Sequence, residues 1–203
     1  MTDFNVKAET WDDDPIKVKR AILIAEHISK TIKGLSHVNA MEYGAGTGLL
    51  SFELMPFLDN VLLVDTSEGM LSIAQNKINS NNYSKVETLK ADFLIDPLPT
   101  RKFNLIFSLM TLHHITELDK ILHIFYSLME NDSYLFVADL VKEDGSFHGK
   151  GFSGHNGFDL DELKELLLQT GFKNIDSQIV MEIEKYRDNE LKKYPLFLMS
   201  GQK

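Results

Sequence analysis

The 203-residue chain fits one domain, and its 43% hydrophobic and 25% charged residues are typical of a soluble globular protein. Its formal net charge of −9 argues against a nucleic-acid groove or an anionic membrane surface as partner, because both require a basic patch. The chain contains no cysteine, which excludes disulfides and thiolate metal sites, and it shows neither a signal-peptide pattern nor a membrane-length apolar stretch. We therefore expect a cytoplasmic protein.

Residues 1–35 are predicted to form a cap segment followed by a helix. The acidic run 12–14 is interpreted as the solvated start of that helix, with Asp14 as its N-cap and Pro15 at its first position. Apolar residues then recur at helical spacing as far as Ile32, and Gly34 is predicted to end the helix.

Strands and helices alternate through residues 36–141. Short apolar runs indicate buried strands, and the segments between them show helical spacing. The predicted strands are 38–43, 60–65, 85–90, 103–109 and 133–141, and the predicted helices are 48–57, one capped by Ser67, and 117–130.

Residues 142–203 are predicted to hold a glycine-rich loop at 142–157, a helix at 159–170, and strands near 172–183 and 193–200. Repeated strand–helix units favour a doubly wound α/β fold, with a mostly parallel sheet and helices on both faces. The closing hairpin would add an antiparallel strand at one edge. The whole chain, 1–203, is interpreted as a single domain.

A glycine loop follows the first predicted strand. In a doubly wound sheet this turn borders the ligand site, and Gly44, Gly46 and Gly48 would let ligand atoms approach the backbone. Asp65 ends the next strand, where its carboxylate can accept hydrogen bonds from ribose hydroxyls. These features suit NAD as well as other adenosine cofactors.

Two details favour a cofactor without phosphate groups, and a third acid suggests an adenine contact. The third glycine comes one position earlier than in the dinucleotide fingerprint, and Leu49 takes its place. Glu42, just before the loop, would repel a pyrophosphate but suits the ammonium of a methionine moiety. Asp92 follows the third strand, where it could accept the adenine amino group, with Phe93 beside the ring.

With these motifs the sequence resembles the class I S-adenosylmethionine-dependent methyltransferases. The resemblance covers roughly residues 15–200 in element order and implies a Rossmann-like sheet of seven strands, the last one antiparallel. The matching segments are Glu42–Gly48, Val64–Leu71, Ala91–Phe93 and Phe103–Ser108. Asn104 stands where relatives usually carry aspartate, and we expect this to change local hydrogen bonds rather than the cofactor.

The resemblance implies S-adenosyl-L-methionine as cofactor, with 36–141 as its binding core. Gly44 and Gly46 would lie alongside the methionine moiety, and Asp65 would bind the ribose. The other implied contacts are Thr66 and Met70 beside the adenosine, Asp92 and Phe93 at the adenine, and Leu109 on the floor of the site.

The acceptor side is predicted from histidines and one tryptophan. The resemblance places His114 near the methyl group, where it could orient the acceptor or accept its proton, although a structural role at the next helix is the alternative. His113, His155 and Trp11 are further candidates for substrate contact. The alternatives are helix packing for Trp11 and a mobile surface connection for the loop that carries His155.

The leading hypothesis is in-line transfer of a methyl group from S-adenosylmethionine to a small-molecule acceptor. An NAD-dependent oxidoreductase and a non-catalytic S-adenosylmethionine-binding protein are the alternatives. We predict no metal site, because the histidine spacing matches no ligand motif. The sequence predicts neither the acceptor atom nor an oligomeric state.

Overall fold

The computed structural model describes residues 4–203, and within them seven strands form one sheet. The helices are α1 Phe4–Lys7, α2 Pro15–Ile32, α3 Leu49–Leu54, α4 Glu68–Asn81, α5 Leu118–Leu128 and α6 Leu160–Thr170. The strands are β1 Asn39–Tyr43, β2 Asn60–Asp65, β3 Val86–Lys90, β4 Phe103–Leu109, β5 Met129–Leu140, β6 Lys173–Arg187 and β7 Glu190–Gln202. Short 3₁₀ turns cover Ala8–Asp13, Met55–Phe57 and Leu112–His114.

The sheet order is β3-β2-β1-β4-β5-β7-β6. Strands β1 to β5 are parallel, and β7 runs antiparallel to both β5 and β6. Apolar side chains of β1, β2 and β4 are buried on both faces between two layers of helices, which is typical of parallel strands. The predicted doubly wound α/β class with an antiparallel C-terminal strand is confirmed.

Helix α2 begins as the sequence predicts. The Asp14 carboxylate accepts a hydrogen bond from the Ile16 N–H at 2.9 Å, and Pro15 takes the first position, where no backbone donor is needed. The helix ends at Ile32, two residues before the predicted stop at Gly34. Its buried face includes Arg20 among alanine and isoleucine side chains.

Strand β5 and the C-terminal hairpin are longer than predicted. Strand β5 begins at Met129 rather than 133, because Met129 pairs with Phe103 before an irregularity in the ladder. In the hairpin, polar residues near 184–192 read as a loop, yet strands β6 and β7 continue through them to a two-residue turn at Asp188 and Asn189. Both turn residues have positive φ, 51° and 65°, which suits a tight hairpin turn.

The glycine-rich loop at 142–157 is attached to that hairpin. Arg187 donates from its guanidinium to the carbonyls of Ser146, at 2.7 Å, and Phe147, at 2.8 Å. The Ser146 hydroxyl lies 2.7 Å from the Tyr194 hydroxyl, and Phe147 is buried. These contacts fix residues 146 and 147 of the loop to the hairpin, and the mobility of the rest of the loop stays a prediction.

The Asn104 side chain forms two hydrogen bonds at the start of β1. Its Oδ1 accepts from the Asn39 N–H at 2.8 Å, and its Nδ2 donates to the His37 carbonyl at 2.6 Å. An aspartate would supply only the acceptor. The expected effect on local hydrogen bonds is therefore present, at the opposite end of β1 from the glycine loop.

Within residues 4–203 no helix is long and apolar enough to cross a membrane.

Candidate active site

A cavity of about 610 Å³ opens at the carboxyl ends of β1, β2 and β4. This is where doubly wound sheets bind ligands, and the volume lies within the usual range for small-molecule sites. Three separate parts of the chain form its walls: the N-terminal segment, the loops after the parallel strands, and residues of the 142–157 loop and β6.

The N-terminal segment is fastened over the glycine loop. Asp12 accepts a hydrogen bond from the Thr47 hydroxyl and forms an ion pair with Lys77, and Lys77 also donates to the Thr47 carbonyl at 2.9 Å. The acidic run is thus not simply a solvated helix start, because Asp12 connects the cap to the site.

Gly44 and Gly46 are suited to the glycine loop for different reasons. Gly44 has a φ of +71°, and a Cβ there would lie 2.1 Å from the Thr111 side chain, so a neighbouring loop excludes any larger residue. Gly46 has a φ of +56°, and its nearest neighbour in the Cβ direction is the Met70 sulfur at 3.9 Å. The backbone at Gly46 therefore leaves room for a ligand to pass close to it.

Asp65 joins the glycine loop to the start of α4. Its Oδ2 accepts from the Gly46 N–H at 2.7 Å, and its Oδ1 accepts from the Ser67 N–H at 2.8 Å. Burial raises the pKa of Asp65, against the lowering effect of these backbone hydrogen bonds. Each carboxylate oxygen can accept a second hydrogen bond, so the fixed side chain still has capacity for ribose hydroxyls.

Glu42 is almost fully buried at the end of β1 and lines the cavity. Its Oε2 accepts from the Ser51 N–H at 3.1 Å and from the Ser51 hydroxyl. Burial raises the pKa of Glu42 to about 8, with a smaller upward contribution from the charge of Asp65. A cationic ligand group would stabilise the ionised form, so Glu42 suits an ammonium and opposes a phosphate.

Only some of the residues predicted to contact the adenosine lie on the cavity wall. Thr66, Met70 and Leu109 line the cavity, as expected, and Ala91 lines it as well. Asp92 and Phe93 are absent from the cavity wall. Asp92 accepts from the Leu94 N–H at 3.0 Å, which stabilises its own turn.

Phe93 belongs to the core instead. Its ring is buried and packs against Tyr43 at a centroid distance of 5.2 Å. The described structure thus places neither side chain on the wall of this cavity, and their contact with the adenine stays a prediction. Ala91 was missed since an alanine carries no chemical signal.

His113 lines the cavity and forms a buried pair with Asp139 behind it. His113 Nδ1 lies 2.6 Å from Asp139 Oδ1, and the His113 N–H donates to Oδ2 at 3.2 Å. Asp139, on β5, is fully buried and also accepts from the Leu140 N–H at 2.8 Å. His113 Nε2 is buried and has no hydrogen-bond partner among the described residues.

His114 lies among rings rather than carboxylates. Its ring contacts those of Phe4 and Phe152, each at a centroid distance of 5.4 Å, and it also lines the cavity. Burial, followed by the neighbouring His113, lowers the pKa of His114 to about 4. A histidine with this pKa is neutral near pH 7 and a weak proton acceptor.

Trp11 lies on the wall of this cavity, whereas His155 does not. Trp11 lines the cavity, where its ring packs edge-on against Phe4 and lies under Lys17 Nζ at 4.1 Å. His155 is outside this cavity: its Nε2 lies 2.9 Å from the Ile115 carbonyl, and its N–H donates to the His113 carbonyl at 2.7 Å. These bonds attach His155 to the 113–115 turn, and its contact with a substrate stays a prediction.

Sequence reasoning missed several cavity residues that come from distant parts of the chain. The missed polar or aromatic residues include Arg20, Thr111, Phe147 and Lys185, with Asp139 behind His113. Arg20 gave one usable signal, a charge on the apolar face of a predicted helix. In residues 4–203, no group of three or more histidine, aspartate or glutamate side chains is arranged to hold a metal ion.

Residues 35–188 match the sequence profile of a family described as a methyltransferase domain. The chain belongs to this methyltransferase family. Membership confirms the resemblance to the S-adenosylmethionine-dependent methyltransferases, with S-adenosylmethionine as the cofactor, and leaves no support for the NAD-dependent alternative.

Curated relatives agree with the family. The chain is 25% identical over 157 residues to the uncharacterized methyltransferase C1347.09 of Schizosaccharomyces pombe, covering 70% of this chain and 55% of the relative. It is 30% identical over 105 residues to the uncharacterized methyltransferase YrrT of Bacillus subtilis, covering 52% of this chain and 47% of the relative. The chain thus spans about half the length of these two relatives.

Solved structures share the fold. Phosphoethanolamine N-methyltransferase 2 of Haemonchus contortus aligns with a TM-score of 0.74 at 14% identity, covering 100% of this chain and 60% of that protein. A SAM-dependent methyltransferase from Aquifex aeolicus aligns with a TM-score of 0.65 at 24% identity, covering 93% of this chain and 98% of that protein.

Proposed function

We propose that the chain transfers the methyl group of S-adenosylmethionine to a small-molecule acceptor in this cavity. The observation that carries the proposal is the His113–Asp139 pair. His113 lies on the wall of the cavity, Asp139 lies behind it, and the cofactor-type residues Glu42 and Asp65 line the same cavity. The cavity volume suits a cofactor together with a compact acceptor.

The cofactor supplies an electrophilic methyl group on a sulfonium. Glu42 would pair with its ammonium, and Asp65 would accept hydrogen bonds from its ribose hydroxyls. The open backbone at Gly46 supports passage of the methionine moiety, and Thr66, Met70, Ala91 and Leu109 would surround the adenosine. The buried carboxylate of Glu42 fits this ligand better than one with a pyrophosphate.

His113, rather than the predicted His114, is our candidate for the general base. A proton on Nδ1, shared with Asp139, would leave the Nε2 lone pair free to accept a proton from the acceptor. The Asp139 carboxylate would fix this tautomer and stabilise the imidazolium that forms. His114 has no such partner, and we assign it to the aromatic wall.

Cofactor binding and methyl transfer are tested separately. Isothermal titration calorimetry should show that the folded protein binds S-adenosylmethionine and S-adenosylhomocysteine. Incubation with methyl-labelled S-adenosylmethionine and a broad metabolite library should then label one class of acceptor. No binding at millimolar cofactor would refute the proposal, and binding without transfer to any acceptor would support the non-catalytic alternative.

The role of His113 is tested by His113→Asn, which keeps an N–H donor towards Asp139 and removes Nε2. We expect kcat to fall by about 10²–10⁴-fold, the usual contribution of a general base, while the cofactor Kd stays within about twofold. Steady-state kinetics and calorimetry measure the two quantities. Asp139→Asn should also reduce kcat, because the tautomer would no longer be fixed.

His123→Asn is the matched control, since His123 is exposed on α5 and contacts Asp119 rather than the cavity. It should leave both kcat and cofactor affinity unchanged. A His113→Asn protein that retains wild-type kcat would remove His113 from the mechanism without affecting the cofactor assignment.

A further inference from the structure

Arg20 is a buried cation without a local partner. Its side chain lies on the inner face of α2 and lines the cavity, and the residue is only 9% exposed. The Nε atom is buried and has no hydrogen-bond partner among residues 4–203. Burying an unpaired guanidinium costs free energy, so such a group is normally paired or binds a ligand.

Nearby carboxylates do not fill this role. Asp139 is engaged by His113 and by the Leu140 N–H, and Asp14 caps α2 and pairs with Lys17 at 3.1 Å. Their charges raise the pKa of Arg20, but burial is the larger effect and lowers it to about 10. Arg20 is therefore charged at neutral pH and still lacks a direct counter-ion.

Lys185 adds a second cation to the cavity wall from another element. It projects from β6, lines the cavity, and places its Nζ 3.3 Å from the centroid of the Phe147 ring. The ion pairs found within residues 4–203 include neither Lys185 nor Arg20. Burial, followed by the charges of Arg187 and Arg20, lowers the pKa of Lys185 to about 8. The repulsion between the two cations would be relieved by an anion between them.

We infer that the acceptor carries an oxyanion group, a carboxylate or a phosphate, which binds to Arg20 and Lys185 in the cavity. A guanidinium offers paired N–H donors that match either group, and a lysine adds a point charge. This inference rests on the proposed function, since it specifies the substrate class of the same cavity. In this inference Glu42 and Asp65 serve the cofactor and Arg20 and Lys185 serve the acceptor, while Asp14, which also lines the cavity, is paired with Lys17.

The test measures the melting temperature of the full chain with saturating S-adenosylhomocysteine. Sodium phosphate or sodium acetate is titrated against sodium chloride at constant ionic strength. We expect an oxyanion to raise the melting temperature of the wild type and to lose this effect in Arg20→Gln. Phosphate and acetate distinguish the two oxyanion sources, and general salting effects act equally on both proteins.

Lys19→Gln is the matched control, because Lys19 is the exposed neighbour of Arg20 on the same helix and is absent from the cavity wall. It should keep the full oxyanion response. Arg20→Lys and Lys185→Gln provide independent variants should Arg20→Gln fail to fold, and both should weaken the response. Once an acceptor is known, Arg20→Gln should raise its KM by about tenfold or more and leave the S-adenosylhomocysteine Kd unchanged.

The two proposals fail in different ways. A wild type that binds S-adenosylhomocysteine but shows no oxyanion response would overturn the oxyanion inference alone. So would an Arg20→Gln protein that retains the response, or equal turnover of an acid and its neutral amide. A wild type that does not bind S-adenosylhomocysteine would instead overturn the proposed function.

Discussion

At the scale of single residues, Glu42 illustrates a conflict between folding and binding. The carboxyl group is buried, and its pKa of about 8 means that the folded chain holds a proton which the unfolded chain releases near pH 4.5. Between these two values the folded state binds more protons, so stability falls as the pH rises through this window. The same buried carboxylate supplies the charge that our proposal assigns to the cofactor ammonium.

Glu42→Gln should therefore stabilise the protein while weakening cofactor binding. The amide can accept both hydrogen bonds from Ser51 without a charge to bury. We expect its melting temperature to exceed that of the wild type increasingly from about pH 5 to pH 8, with little difference at pH 4. Calorimetry should show weaker binding of S-adenosylmethionine. A variant with unchanged affinity would remove Glu42 from the cofactor site.

Sequence alone could identify the cavity residues that occur in local motifs. Glu42 and Asp65 end strands and Gly46 follows one, and such strand ends meet in a doubly wound sheet, so these positions could be inferred from the predicted strands. The pairing of His113 with Asp139 could not, because it depends on the register between neighbouring strands and on the turn at 112–114. The same limit applies to Asp92, because the hydrogen bond between its side chain and its own turn could not be read from the sequence pattern.

At the scale of elements, the β6–β7 hairpin and the 142–157 loop act as one unit of the cavity wall. The sequence pattern predicted the hairpin but with strands that were too short, because the polar residues near its tip are typical of a loop. Cross-strand ion pairs such as Lys193 with Glu182, at 3.0 Å, accompany the ladder in this region. The added length places Lys185 on the cavity wall.

Arg187→Gln tests this coupling between the hairpin and the loop. The variant loses guanidinium hydrogen bonds to the carbonyls of Ser146 and Phe147, so the loop should open more often and be cleaved faster in limited proteolysis. We expect an increase of several-fold in the cleavage rate within 142–157. Lys193→Gln, which removes an exposed ion pair on the same hairpin, should cleave at the wild-type rate. Equal rates in all three proteins would contradict the coupling.

At the scale of the whole molecule, the topology joins parts of the chain that are far apart in sequence. The central order β2-β1-β4 brings the cofactor-type residues together, and α2 and β6 contribute cations from the two ends of the chain. The fold class could be predicted because alternating strands and helices permit few topologies. The two cations could not, because α2 and β6, which carry Arg20 and Lys185, lie outside the repeating strand–helix units.

The position of Arg20 inside a chain with a net charge of −9 has a kinetic consequence. An approaching anionic acceptor would first meet long-range repulsion, which is screened beyond about 10 Å at 0.1 M salt, whereas the buried contact is screened much less. For such an acceptor kcat/KM should rise, not fall, as sodium chloride is added from low ionic strength, and stopped-flow measurements of association should show the rise in the on-rate. A neutral substrate analogue should show no such trend. The protein would then select its substrate at short range while its surface slows every anion that approaches.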